Sequence, residues 1–170
     1  GVKIYYHKED KPRGTAGALL DVLDLLNDQF IIIYGDTFLN VDLISFLSFH
    51  NKKNAKITIF LHPNNHPSDS DLIEIDEQKM ITDIYRYPHP PNKSRRNLVN
   101  AGLYIFNKSA LVNTKTSQQK IDIAKNLFPK LLEDKSTIFG YISTEYIKDM
   151  GTPERLLSVE KDILSGRVDA

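Results

Sequence analysis

Apolar residues follow two patterns along the first third of the chain. In one pattern they recur every three or four positions, as on one face of a helix, within residues 18–26 and 43–49. In the other they cluster in short strand-like runs rich in β-branched and aromatic residues, at 2–6, 30–34 and 57–61, and the unbroken run 30–34 is typical of a strand buried on both faces. The order strand, helix, strand, helix, strand predicts an α/β domain with a mostly parallel sheet.

The remaining sequence continues this alternation after a more irregular middle section. Further elements are predicted at residues 72–75, 81–85, 98–106, 127–132, 137–142 and 154–164. The last helix has a clear start, since Thr152 suits its N-cap and Pro153 its first position. Three prolines between residues 86 and 97 predict a loop without regular structure there. All these elements fit one domain over residues 1–170.

Composition and charge narrow the class of protein. Hydrophobic residues make up 41% and charged residues 26% of the 170 positions, as in a folded globular domain. The 22 basic and 22 acidic residues cancel, which argues against nucleic acid as a partner. The absence of cysteine excludes disulfides and thiol nucleophiles. No apolar run approaches the roughly 20 residues that cross a bilayer, so we expect a cytoplasmic domain with no membrane partner.

Two acidic residues follow predicted strands and are the strongest candidates for chemistry. Asp36 comes directly after the apolar run 30–34 and Gly35, and Asp149 lies between a strand region and Thr152. Ligands of open α/β sheets bind beyond the carboxyl ends of strands, and carboxylate oxygens are ligands that Mg²⁺ prefers. The two acids therefore predict a shared magnesium site. The alternative for each acid is a turn or a helix cap, which is a common role of aspartate.

Three weaker signals concern anions and sugars. The segment Gly14–Gly17 opens a predicted helix, where backbone amides favour anions and glycine lets a ligand approach. Asn100 and Gly102 begin an apolar strand, where an amide side chain either binds sugar hydroxyls or closes a turn. Arg86 and Lys148 are candidate contacts for a phosphate, and the alternative is that both are solvated surface cations.

Four segments together resemble the sugar-1-phosphate nucleotidyltransferase family. They match it in order and spacing across nearly the whole chain: PRGTAGALL (12–20), FIIIYGD (30–36), LVNAGLYIF (98–106) and KDMGTPERL (148–156). The similarity is closest to the mannose- or heptose-1-phosphate guanylyltransferase branch. The last segment with its continuation VEKDILSGRV is similar to the transferase half of proteins fused to a haloacid-dehalogenase-type sugar phosphatase.

The resemblance implies a fold, a reaction and a set of roles. The fold is a Rossmann-like mixed, mostly parallel sheet of the nucleotide-diphospho-sugar transferase type. The reaction is transfer of a nucleotidyl group from an NTP, with GTP favoured, to a sugar 1-phosphate, which releases pyrophosphate and needs Mg²⁺. The implied contacts are Asp36 and Asp149 with the metal, Gly14 and Thr15 with the nucleotide, and Asn100 and Gly102 with the sugar.

The chain departs from the family in two places. The family's first strand, its glycine-rich triphosphate loop and a Pro-Lys pair have no counterpart. The resemblance thus implies that residues 1–170 are the C-terminal two-thirds of a catalytic domain and that this fragment alone is inactive. The family's Glu-Lys-Pro reads Arg86-Tyr87-Pro88, so the sugar contact of the glutamate lacks an equivalent. Strand edges exposed in such a fragment would favour a homo-oligomer.

Two other functions remain open at this point. A sugar-nucleotide-binding or regulatory module would use the same residues without catalysis. A metal-dependent glycosyltransferase would use Asp69 and Asp71, which form a D-x-D pattern. This second alternative is weaker, because the four matching segments lie elsewhere.

Overall fold

A computed structural model describes residues 1–64, 67, 70–89, 95–112, 114 and 120–168. The strands are β1 (Gln29–Ile33), β2 (Thr37–Asn40), β3 (Ile57–His62), β4 (Leu72–Ile75), β5 (Ile81–Tyr85), β6 (Val99–Asn107), β7 (Ile138–Ile142) and β8 (Tyr146–Asp149). The helices are α1 (Gly14–Asp21), α2 (Leu43–Lys52), α3 (Phe128–Glu133) and α4 (Pro153–Leu164), and a π-helical turn at Ile123–Leu127 precedes α3. None of these described helices is long and apolar enough to cross a membrane.

Six of the strands form one sheet around β6. The order is β5-β4-β6-β3-β7, and β1 pairs with the same edge of β6 as β4 does, further along that strand. The remaining strands, β2 and β8, form a separate antiparallel pair. The predicted mixed α/β fold is therefore confirmed.

The strand directions correct the expectation of a mostly parallel sheet. β1, β3, β4 and β7 run the same way, but β6 runs against them and lies between β3 and the pair β1 and β4. Among the described ladders of this sheet only β3–β7 is parallel. Continuous apolar runs report that a strand is buried and do not report its direction, which is why the sequence pattern misjudged the pairing.

Both faces of the sheet are covered, and side chains alternate between them. Ile57, Ile59 and Leu61 of β3 join a large core under α1 and α3, and Phe60 joins a second core under α2. The same alternation on β6 places Tyr104 in the first core and Leu103 in the second. The two central strands thus fix one layer of helix on each side of the sheet.

Side chains cap the starts of two helices, and the cap at Thr152 is predicted from the sequence. The Asp42 carboxylate accepts hydrogen bonds from the amides of Ile44 and Ser45 at 2.9 and 3.0 Å, and thereby caps α2. The Thr152 hydroxyl accepts one from the amide of Arg155 at 3.3 Å and caps α4. Both side chains satisfy amides that have no partner within their own helix.

Residues 2–6 do not form the predicted strand. Within the described residues no strand pairs with this segment, and Tyr5 and Tyr6 are 74% and 92% exposed. A strand satisfies its amides and carbonyls through a neighbour, so an apolar pattern alone does not produce one.

Helix α1 begins in close contact with the segment before the π-helical turn. The amide of Ile121 donates to the carbonyl of Arg13 at 2.7 Å, and the amide of Ala16 donates to the carbonyl of Ile121 at 3.0 Å. Gly14 has φ +77°, and a Cβ atom there would collide with the Ile121 carbonyl group. Glycine is required at this position both for its backbone conformation and for the close approach.

We expect Gly14→Ala to lower the free energy of unfolding by about 1–3 kcal/mol, because it combines backbone strain with a steric collision. Gly166→Ala is the matched control, since Gly166 has φ +70° but open space around it. Urea unfolding of both variants measures the difference. Equal losses would show that the contact with Ile121 adds nothing.

His50 is buried between α2 and the sheet and is 1% exposed. Its Nδ1 lies 2.7 Å from the Thr58 hydroxyl, and its Nε2 lies 3.2 Å from Oδ1 of Asn107. Burial lowers the pKa of His50, while the hydrogen bond with Asn107 opposes that shift. The folded protein therefore favours the neutral imidazole more than the unfolded chain does.

This burial predicts a loss of stability in mild acid. An unfolded histidine takes up a proton near pH 6.5, whereas His50 in the folded protein does so only at lower pH. The free energy of unfolding should fall as the pH drops below about 6.5, by at most about 1.4 kcal/mol per pH unit from this group. Urea unfolding between pH 7.5 and 5 should show that the free energy of unfolding depends less steeply on pH for His50→Gln than for wild type. Identical slopes for wild type and His50→Gln would contradict the assignment.

Candidate functional site

A cleft of about 690 Å³ opens where several strands end. It lies beyond the carboxyl ends of β1 and β3 and beside the amino end of β6, because β6 runs in the opposite direction. The end of β8 and the first turn of α4 close another side. This is the edge of the sheet at which the sequence predicted a binding site.

The two predicted metal ligands lie together in this cleft. Asp36 directly precedes β2, and Asp149 ends β8, where it pairs in register with Thr37. The amide of Met150 donates to the backbone carbonyl of Asp36 at 2.6 Å and continues this pairing. The β2–β8 ladder is therefore the element that brings the two acids together.

The space at Gly151 shows that both carboxylates face one point. A Cβ atom added there would lie 3.3 Å from Oδ2 of Asp36 and 3.2 Å from Oδ1 of Asp149. Two carboxylates that converge beside a glycine fit a small, oxygen-preferring divalent cation. Within the described part of the chain, no group of three or more His, Asp or Glu residues is arranged to hold a metal. A cation held by these two acids would take further oxygen ligands from water or substrate.

Asp149 is additionally held by a cation and an amide. Its Oδ1 accepts hydrogen bonds from Nη1 of Arg155 at 2.7 Å and from the amide of Gly151 at 2.8 Å. Partial burial alone would raise the pKa of this carboxyl, but the two donors and the charge of Arg155 outweigh it and lower the pKa. Asp149 is therefore ionised, as a metal ligand must be.

The predicted sugar contacts occupy the wall formed by β6. Oδ1 of Asn100 accepts from the amide of Gly102 at 3.0 Å, and its Nδ2 donates to the hydroxyl of Tyr104 at 2.8 Å. Gly102 has φ +74°, and a Cβ atom there would lie 2.9 Å from the ring of Tyr34. The glycine thus admits the Tyr34 ring, and the orientation of the Asn100 amide is fixed.

A network of hydroxyl groups leads from Asn100 to the start of α1. Burial raises the pKa of Tyr34, whose ring packs edge-on against the ring of Tyr104 with 5.6 Å between centroids and whose hydroxyl also interacts with Thr15. Thr15 in turn donates to Oδ2 of Asp122 at 2.9 Å and accepts from the amide of Ile123 at 2.9 Å. The pKa of Tyr104 is also raised, first by burial, so both tyrosines stay neutral.

The structure does not bring all of the predicted site residues into the cleft. Asp36, Asn100, Gly102, Lys148 and Asp149 line it. Gly14 and Thr15 do not, since they pack against residues 121–123, and their contact with a nucleotide stays a prediction. Arg86 lines two smaller cavities beside α3 and is not part of the cleft wall.

Lys148 reaches the cleft but already has an acidic partner. Its Nζ donates to Oδ2 of Asp162 at 2.7 Å and to the hydroxyl of Ser158 at 3.0 Å. The hydrogen bonds from Lys148 and Tyr146 lower the pKa of Asp162 to about 2. Lys148 therefore ties β8 to α4, and its role toward phosphate stays a prediction.

Several cleft residues were missed by the sequence reasoning. His62 ends β3, and Asn64 follows β3 in the way that Asp36 follows β1, so the strand-end rule could have found both. Predicting that Arg155 lines the cleft would have required the orientation of α4, which the local sequence pattern does not give. Asp71 also lines the cleft, where its Oδ1 accepts from the amide of Tyr87 at 2.8 Å. Asp69, the other acid of the D-x-D pattern, lies outside the described residues.

Comparisons with known proteins agree with the motifs. A family model described as nucleotidyl transferase matches residues 1–166. The chain is 29% identical over 169 residues to a mannose-1-phosphate guanylyltransferase of Mycobacterium tuberculosis. This alignment covers 98% of this chain and 46% of that protein. It is 31% identical over 163 residues to a glucose-1-phosphate adenylyltransferase of Clostridioides difficile, and this second alignment covers 89% of this chain and 42% of that protein. The chain thus spans less than half the length of these relatives.

Solved structures agree on the fold. A Bacillus anthracis protein, described as a candidate glucose-1-phosphate thymidylyltransferase and solved in complex with a sucrose, superimposes with a TM-score of 0.79 at 19% identity. The match covers 100% of this chain and 68% of that one. The match of the family model to nearly the whole sequence confirms the resemblance carried by the four motifs. The chain belongs to the nucleotidyl transferase family.

Proposed function

We propose that this chain serves the transfer of a nucleotidyl group from an NTP to a sugar 1-phosphate, giving an NDP-sugar and pyrophosphate. The observation that carries the proposal is the convergence of Asp36 and Asp149 in a cleft whose other wall presents Asn100. Family membership and the names of the relatives support the same reaction. GTP is the first nucleotide to test, because a guanylyltransferase is among the relatives.

The acidic end of the cleft suits the phosphates only when a cation is present. Asp36 and Asp149 would hold Mg²⁺, which supplies charge neutralisation and alignment for phosphates that two carboxylates would otherwise repel. No hydrogen bond to the Asp36 side chain is found among the described residues, so its oxygens are available to a cation. Asp149 already accepts two hydrogen bonds at Oδ1, from the amide of Gly151 and from Arg155.

The opposite wall suits a neutral, hydroxyl-rich group. The Asn100 amide uses one N–H for Tyr104 and its oxygen for Gly102, which leaves a second N–H and a lone pair. A donor and an acceptor side by side match a sugar hydroxyl, which both donates and accepts. Because the amide orientation is fixed before a ligand arrives, little side-chain entropy is lost on binding.

The reaction asks for positioning more than for covalent chemistry by the protein. A sugar phosphate oxygen attacks the α-phosphorus of the nucleotide, and pyrophosphate leaves. This chain would hold the sugar at the β6 wall and the charged centre at the β2–β8 end, so that the reacting groups meet in one orientation.

Pyrophosphate release tests the proposal in the natural gene product that contains residues 1–170. With GTP, mannose 1-phosphate and Mg²⁺, a coupled assay should detect pyrophosphate. Asp36→Asn, which keeps the shape but not the charge, should lower kcat/KM at least about 100-fold, because a metal ligand contributes several kcal/mol of charge stabilisation. Asp24→Asn, at an exposed acid after α1, should leave the rate unchanged.

Two results would contradict the proposed reaction. One is full activity of Asp36→Asn, which would remove the metal role of this acid. The other is the absence of pyrophosphate with every pairing of the common NTPs with hexose and heptose 1-phosphates. Binding of an NDP-sugar without turnover, measured by calorimetry, would then favour a non-catalytic sugar-nucleotide-binding module.

A further inference from the structure

Arg155 lies at a position where a helix disfavours a cation. It is the third residue of α4, directly after Pro153 and Glu154, and its amide is capped by Thr152. The first turn of a helix carries a partial positive charge, so acidic residues are favoured there and arginine is not. A local rule broken in this way is expected where another interaction compensates.

The compensating partner is one of the two candidate metal ligands. Nη1 of Arg155 donates to Oδ1 of Asp149 at 2.7 Å, and both side chains are about half exposed. The amide of Gly151 donates to the same oxygen at 2.8 Å. Oδ1 of Asp149 thus has two donors, while the Asp36 carboxylate faces the same space from the other side.

In the two-acid corner, formed by Asp36 and Asp149, a bound divalent cation would compete with Arg155 for Asp149. Two carboxylates that face one point repel each other, and a single guanidinium beside one of them relieves part of that repulsion. A divalent cation that bound both acids would meet the positive guanidinium at Asp149. The cation and Arg155 therefore cannot both interact with Asp149 at full strength.

We propose that Arg155 is the resident counter-cation of the two-acid corner: it holds Asp149 while no divalent cation is bound and releases it when one binds. The inference rests on the metal site of the proposed function and adds a residue that sets its affinity. Arg155 is a positioning residue in this role, since it acts through Asp149. Once released, its guanidinium still lines the cleft, where a phosphate is a suitable new partner.

Binding of Mn²⁺ alone tests the proposal without any assay of activity. Free Mn²⁺ is followed by electron paramagnetic resonance during titration of the full natural protein. Arg155→Met removes the charge and keeps a residue that favours helix. It should bind Mn²⁺ about two- to fivefold more tightly, which is the strength of an exposed ion pair expressed as a ratio. Arg155→Lys keeps the charge and should stay close to wild type.

Controls separate this effect from a general change of charge or fold. Arg96→Gln breaks a comparable pair with Glu74, at 3.2 Å and outside the cleft wall, and should leave the affinity unchanged. Asp36→Asn should weaken Mn²⁺ binding in both the wild-type and the Arg155→Met background. Thermal unfolding of each variant confirms that the fold is kept, which is expected because Arg155 is exposed.

Unchanged or weaker Mn²⁺ binding by Arg155→Met would overturn the proposal, since it would mean that Arg155 is neutral to the cation or helps to orient Asp149 for it. Mn²⁺ binding that is independent of Asp36 in both backgrounds would overturn it together with the metal site. Tighter, Asp36-dependent binding by Arg155→Met would support it even if no pyrophosphate were released. That combination would contradict the proposed reaction alone.

Discussion

The pairing of β6 with three other strands is the constraint on which the rest of the structure depends. One edge of this strand bonds to β3 along most of its length, and the other edge is shared by β1 and β4. β1 ends opposite Leu103, and β4 meets β6 at Val99. The stretch of β6 between these two points pairs with neither strand, and its residues Asn100 and Gly102 line the cleft. The cleft exists because two strands share one edge without filling it.

Burial of polar groups around this gap makes the site specific. Asn100, Tyr104, Tyr34 and Thr15 form a series of neighbouring polar side chains that reaches from the cleft into the core and to the start of α1. Because burial raises the pKa of both tyrosines, the series carries no charge on its hydroxyls, and its order depends on every member having a partner. These side chains connect the β6 wall of the cleft with the start of α1.

Much of the secondary structure and part of the site could be predicted from the sequence. Apolar runs located β1, β3 and β6, and the strand-end rule brought Asp36 and Asp149 to one edge. Sequence patterns did not predict which distant segments pair or in which direction they run. No local pattern predicts that residues 37–40 pair with residues 146–149, or that β6 runs antiparallel to its neighbours. The run 30–34 also predicted burial on both faces, yet Ile31 and Ile33 remain 39% and 46% exposed. Arg155 was missed because its partner is set by the angle of α4 and not by its neighbours in sequence.

The two-stranded ladder of β2 and β8 has a thermodynamic consequence. It joins segments that are far apart in the chain, and each contributes one of the two converging acids. A divalent cation shared by Asp36 and Asp149 would bind only when both segments are in place, so its binding free energy would add to the free energy of unfolding. In a sequence without cysteine, such an ion would link the two distant segments reversibly, and the stabilisation would grow with the logarithm of its concentration above its Kd.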